Sequence, residues 1–199
     1  FISNYKKIEI ASNEEKLTFE MHESKVSYVE KIQSVLNHIQ RGEYYETNFC
    51  MPLQANGELK DVFAHFSKMN NATEAPHATY FNGDKLQLLC TSPERFIQKV
   101  ENTIISQPIK GTVKRGATAE EDEQNKVLLQ TSKKERSENI MIVDLMRNDL
   151  SKVCAEDTVH VSKLLAIHEL PGLAHLISDV EGTLRNGVKW SEIFEATLP

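Results

Sequence analysis

The sequence is poor in cysteine, in long apolar runs and in clustered positive charge, and each shortage argues against a class of protein. Its three cysteines, Cys50, Cys90 and Cys154, are odd in number, far apart and in no Cys-x-x-Cys pattern. That argues against a disulfide or zinc framework and fits reduced, buried thiols in a cytoplasmic protein. No apolar run approaches membrane-spanning length, and Phe1 to Ile10 do not form a signal peptide, so no membrane role is expected. A formal net charge of -6 argues against a nucleic-acid partner. A few cations or a metal placed locally would still let such a chain bind an anionic small molecule. Repeats, low-complexity segments and an obvious linker are missing too. What remains is a chain of 199 residues, long enough to bury a core as one sizeable domain or two small ones. It begins at Phe1 and stops at Leu198-Pro199 directly after an expected helix, so both ends read as cut.

Hydrophobic spacing predicts a helix from about Ser24 to Arg41, with Val26, Val29, Ile32, Leu36 and Ile39 on one face and Gly42 as its C-terminal cap. Tyr44 to Leu53 reads as a strand, and Glu58 to Met69 as a second helix. Two hairpins follow. His77–Phe81 and Lys85–Cys90 flank Asn82-Gly83-Asp84, while Phe96–Val100 and Thr103–Gln107 flank Glu101-Asn102. Thr118-Ala-Glu-Glu121 and Ser132-Lys-Lys-Glu135 fit the capping-box pattern and open two helices, or one interrupted helix, running to about Leu150. His175 to Leu184 reads as a strand, Arg185-Asn186-Gly187 as a turn and Trp190 to Ala196 as a last helix. Hairpins mixed with separate helices indicate an α+β protein rather than a parallel βαβ sheet.

Several residues have the chemistry of a site, each with a plainer reading beside it. Lys110 sits in Pro108-Ile-Lys-Gly-Thr112, where Pro108 and Gly111 are expected to turn the backbone. In such a turn a lysine is a solvated charge, or, if held in a pocket and partly desolvated, a nucleophile. Glu135 and Glu138 lie three apart on an expected helix and share a face, as a hard cation such as Mg²⁺ requires. Glu135 is also the N3 residue of a capping box, and Glu138 reads as a solvated charge. Asp144, Asn148 and Asp149 fall among apolar residues and must find partners, structural or functional. Glu94 reads as a general acid or as the ion-pair partner of Arg95. His175 opens an apolar strand, where a histidine is either a hydrogen-bonded core residue or a catalyst.

The combination is more telling than its parts. Pro108-Ile-Lys-Gly-Thr112, Glu135-Arg-Ser-Glu138-Asn139 and Met141-Ile-Val-Asp-Leu-Met-Arg-Asn-Asp149 occur in that order. With Gly42-Glu-Tyr-Tyr-Glu-Thr-Asn48, Ser92-Pro-Glu-Arg-Phe96 and His175-Leu-Ile-Ser178, they resemble the chorismate-utilising enzymes from about Tyr28 to Pro199. The resemblance implies a four-layer α/β/β/α arrangement with two packed antiparallel sheets. It implies Mg²⁺ on Glu138 with Glu135 in support, Glu94 as an acid near the C4 hydroxyl of chorismate, and His175 close to the substrate ring. Gly111 and Thr112 then approach a substrate carboxylate. Lys110 matches the lysine of aminodeoxychorismate synthases, the branch this chain resembles most, where anthranilate synthases usually carry alanine. There the lysine adds to C2, the C4 hydroxyl departs and ammonia enters at C4, which is covalent catalysis. Glu46 stands where the isochorismate and salicylate synthases carry a water-activating lysine, and where most aminodeoxychorismate and anthranilate enzymes carry glutamine.

Nothing in the chain resembles a glutaminase, so a glutamine amidotransferase subunit, or free ammonia, is expected to supply the nitrogen. The family's next block, a glycine-rich stretch followed by a second metal-binding glutamate and basic groups, would lie beyond Pro199. The expectation is therefore one incomplete chorismate-binding domain over 1–199, with 1–23 a remnant of a preceding region or a strand, holding about half an active site and not competent alone. The other readings are an anthranilate synthase with an unusual lysine, a non-catalytic binding fragment, and an α+β domain whose motifs are structural remnants.

Overall fold

A computed structural model describes residues 19–21 and 23–198, and the chain divides into two compact units, Phe1–Ala64 and His65–Pro199. Most of the expectation for residues 1–23 falls outside the described residues. In the first unit β1 (Glu20–Met21) pairs antiparallel with β2 (Leu53–Gln54), and α1 spans Lys25–Gln40. Ser24 caps α1 by accepting from Ser27 N–H at 3.2 Å. At the other end Gly42, with φ +73°, donates its N–H to Ile39 O at 2.9 Å, a left-handed stop that favours glycine. The strand expected over Tyr44–Leu53 is confined to its last residue. Tyr44 stacks on His38 and Phe49 tilts against Tyr28, so ring contacts with α1 hold the segment and only Leu53 finds a ladder partner.

α2 runs Val62–Thr73, later than expected, because Asp61 accepts from Ala64 N–H at 2.9 Å and begins the helix there. In the second unit β3 (His77–Asn82) and β4 (Gln87–Ser92) form one antiparallel hairpin. β5 (Arg95–Val100) and β6 (Thr103–Gln107) form the next, which opens a five-stranded antiparallel sheet. β7 (Ile109–Lys114), the capped helices α3 (Ala119–Thr131) and α4 (Lys133–Ser151), β8 (His160–Glu169), β9 (Leu173–Thr183) and α5 (Trp190–Thr197) complete the unit. The protein is thus α+β, as expected, with antiparallel sheets and, in the second unit, α3 and α4 packed against the large sheet.

β9 is the axis of the large sheet. β6 and β7 lie end to end along one of its edges and β8 along the other. Ala174 to Val180 are buried without a break, as expected of a strand covered on both faces. Val143, Met146 and Leu150 recur at helical spacing on α4 and pack with Ile104 and Val180 into the main core. A smaller cluster joins Leu129, Leu165 and Leu176. The polar residues of α4 are resolved structurally: Asp144 pairs with Arg147 at 3.1 Å, and buried Asp149 with Lys152 at 2.7 Å. The three cysteines are free thiols. Among the described residues no helix is long and apolar enough to cross a membrane.

Two strands were not foreseen. The Pro108–Thr112 segment, expected as a turn, belongs to β7: Pro108 marks the junction with β6, and the glycine serves a bulge rather than a reversal. β8 was not read at all, because register shifts at Val161/Lys163 and Lys163/Ala166 interrupt its alternation.

The far end of β7 is tied by charge. Arg115 Nε and Nη2 donate to the two Asp122 oxygens at 2.6 and 2.7 Å, and Gly116 N–H donates to Oδ1 at 2.9 Å. The Arg115 guanidinium first, then the Gly116 amide, hold the Asp122 carboxyl well below the usual carboxylate range. Arg115 and Lys126 both reach Glu169, at 2.9 and 3.0 Å, so β7, α3 and β8 meet in one network. A Cβ on Gly116 would sit 2.1 Å from Asp122 N, whereas one on Gly172 meets nothing within 4 Å. Urea unfolding is expected to show Gly116→Ala destabilised by about 1–3 kcal/mol or more. Gly172→Ala should stay within about 0.5 kcal/mol of wild type.

Candidate active site

The candidate site is organised by four consecutive residues of β7. Ile109 pairs with Ile177 and Thr112 with His175, so three steps along β7 face two along β9. Lys110 and Gly111 fill this β-bulge, and Gly111 takes φ +97°, a conformation that side chains rarely adopt. Lys110 is half-buried there.

Three elements reach this short segment. From the β4–β5 connection, Glu94 Oε1 accepts the Ile109 N–H at 2.9 Å. The Ser92 hydroxyl bonds both the N–H and the C=O of Glu94 at 3.1 Å, fixing the backbone that presents the carboxylate. From the first turn of α4, Glu135 lies against Gly111: a Cβ there would stand 3.1 Å from both Cβ and Oε2 of Glu135. From β9, His175 Nδ1 shares a hydrogen bond with Thr112 Oγ1 at 2.9 Å. His175 is 5% exposed, and its Nε2 is buried with no hydrogen-bond partner. His175 also lines a cleft of about 320 Å³ together with Thr91, Pro93 and Leu173.

Burial pushes the His175 pKa down, against an upward pull from Glu94, and His168 adds to the lowering. The imidazole is therefore neutral at neutral pH, able to accept or donate one proton at each nitrogen according to tautomer.

Glu138 joins the site through a shared cation. The Lys134 ammonium lies 3.9 Å from Glu135 Oε1 and 3.8 Å from Glu138 Oε1, so one positive charge sits in the field of both carboxylates. Both are partly exposed and open to water. Two hard oxygen donors with water access suit Mg²⁺, which uses one or two carboxylates and keeps several waters. Among the described residues no third Asp, Glu, His or Cys completes a metal cluster with them.

The structure thus brings Glu94, Lys110, Gly111, Thr112, Glu135 and His175 together, with Glu138 beside Glu135. Glu46 belongs to the first unit. Sequence reasoning assigned no role to Asn139, the residue after Glu138. It is fully buried and donates Nδ2–H to Leu176 O at 3.2 Å, while its Oδ1 accepts from the Ser178 hydroxyl at 2.5 Å. Its spacing from Val143, Met146 and Leu150 was the available signal, since that places it on the buried face of α4.

A family model described as chorismate binding enzyme matches residues 4–199. The chain is 35% identical over 193 residues to a probable chloroplastic aminodeoxychorismate synthase of Oryza sativa subsp. japonica, covering 96% of this chain and 22% of that protein. It is 33% identical over 185 residues to anthranilate synthase component 1 of Saccharomyces cerevisiae, covering 92% of this chain and 36% of that one. The fold matches the crystal structure of anthranilate synthase component I from Streptococcus pneumoniae with a TM-score of 0.81 at 22% identity, over 92% of this chain and 40% of that one. The chain spans less than half the length of each of these proteins.

Imidazole NMR titration is expected to place His175 below the ordinary value of 6.5. Between that value and the folded one, the unfolded chain binds a proton that the folded chain does not. This contribution to stability is complete above about 6.5 and is lost as pH falls through the folded pKa. A His175 titration above 6.5 would contradict the burial argument.

Proposed function

The chain belongs to the chorismate binding enzyme family, and from that premise we propose that its site carries the C4-amination chemistry of an aminodeoxychorismate synthase component I. Chorismate is the substrate, 4-amino-4-deoxychorismate the product, and ammonia from a separate glutamine amidotransferase subunit the nitrogen source. The observation that carries the reading is the convergence of Glu94, Glu135 and His175 on residues 109–112, around a lysine in a bulge.

In this reading the lone pair of Lys110 Nζ, freed of its proton by Glu94, bonds to C2 of the ring while the C4–O bond breaks. The two ring double bonds shift between these positions, and the hydroxyl leaves as water with a proton from Glu94. Ammonia then bonds to C4 as the C2–Nζ bond breaks, which restores the diene and frees the lysine. The surplus proton on the new amine returns to Glu94. Glu138 and Glu135 would hold Mg²⁺, which would supply positive charge to a carboxylate of the dianionic substrate and Lewis acidity at the leaving hydroxyl. His175, uncharged and fixed by Thr112, presents Nε2 to the ring, while Gly111 and Thr112 lie against a substrate carboxylate.

The test is product analysis of the complete gene product with chorismate, Mg²⁺ and ammonium. Wild type is expected to form 4-amino-4-deoxychorismate, and Lys110→Ala to lose about two orders of magnitude or more in that rate. Unchanged amination in the variant would remove Lys110 from the chemistry, and anthranilate as product would assign the chain to the tryptophan-type reaction instead. Separately, Glu138→Gln should weaken Mg²⁺ binding, followed by calorimetric titration, by about tenfold or more.

A further inference from the structure

A second cleft, of about 240 Å³, lies beside Glu94 in the sequence but takes none of its lining from residues 109–112. Three apolar side chains, Pro76, Pro93 and Ile177, and four polar ones, His77, Arg95, Gln107 and His168, line it. They come from the starts of β3 and β5, the end of β6, and from β8 and β9. Arg95 and Gln107 face each other across the β5–β6 ladder. Gln107 donates Nε2–H to Asp179 Oδ1 at 2.8 Å, and the other Asp179 oxygen lies 3.8 Å from Lys163. The Asp179 carboxylate is therefore already engaged by Gln107 and Lys163. Arg95 is half-buried, and among the described residues its guanidinium makes no hydrogen bond or ion pair.

A guanidinium carries five N–H donors in a planar fork that matches a carboxylate, and leaving them unmet in a half-buried site is costly. We propose that this cleft binds a small organic carboxylate, with its charged end on Arg95 and its apolar body against Pro76, Pro93 and Ile177. The volume is below that of a drug-sized pocket, which limits the ligand to a small acid. The three apolar walls select an acid with a hydrocarbon body over an inorganic anion.

The electrostatics agree. Burial first, then Arg95, then His168, hold the His77 imidazolium below its ordinary range. These groups and Asp179–Lys163 are the charges around the cleft, with His175 and Glu94 on the neighbouring site. A bound carboxylate would reverse the local sign and favour His77 protonation. The inference stands apart from the chorismate reading, since Lys110 does not line the cleft.

The experiment is an imidazole NMR titration of the intact chain with butyrate, using sulfate as the inorganic comparison. Butyrate is expected to perturb His77 saturably and raise its pKa, with sulfate binding about tenfold more weakly or less well still. Arg95→Gln should weaken butyrate by about tenfold or more, and Lys110→Ala should leave it unchanged. An unresponsive His77, equal affinity for sulfate, or full butyrate binding by folded Arg95→Gln would overturn the proposal. Loss of binding in Lys110→Ala would move the carboxylate to the other site and overturn it too. The wild-type comparison of butyrate with sulfate decides the question even if Arg95→Gln does not fold.

Discussion

The arrangement depends most on one buried side chain, Asn139. Its amide donates to Leu176 O of β9, and its carbonyl accepts from the Ser178 hydroxyl, whose oxygen in turn accepts the Leu165 N–H at 2.9 Å. Leu165 has φ +56° at an irregularity of β8, so this N–H is turned away from the regular ladder. One amide thus ties α4 to β9, and through Ser178 to β8, with each polar group satisfied. In a dry interior such bonds are directional, and losing one partner strands another at a cost of about 1–3 kcal/mol. Because Asn139 follows Glu138 and lies one turn from Glu135, the same bonds set the height of the two carboxylates above the sheet.

β7 is anchored at both ends. At its start Glu94 takes the Ile109 N–H, and just past its end the Arg115–Asp122 pair locks the chain to α3. Lys126, its pKa pushed up by Glu169 first and then Glu123, extends the lock to β8. The bulge at Lys110–Gly111 lies between these anchors, and a side chain at Gly111 would collide with Leu129 and Glu135. The position of Lys110 thus follows from constraints placed on its neighbours, which is the usual way a loose side chain is given a definite address.

Capped and punctuated elements were legible in the sequence. Ser24, Thr118 and Ser132 each cap the helix they were expected to open, and both hairpins form within a few residues of their expected limits. These signals are local: a hydroxyl reaches an N–H three residues on, and a turn residue adopts its own φ. The 44–52 segment misled because local composition states only that a strand would suit, while a ladder needs a partner. β7 and β8 were missed for the converse reason, since their bulges break the alternation by which strands are recognised.

By itself the sequence determined the order of the motifs, the two carboxylates on one helical turn, the lysine before a glycine and membership of the family. All of these follow from spacing and residue chemistry along the chain. Tertiary structure alone decided that Glu94 meets Ile109 N–H, that Glu135 lies on Gly111, and that His175 is held by Thr112 with its other nitrogen buried. Each of those contacts joins residues 15 to 63 positions apart or lies across packed elements. Such pairings are set by sheet register and by the partners of Asn139: helical spacing marks Asn139 as buried, but nothing local names the strand residues it bonds.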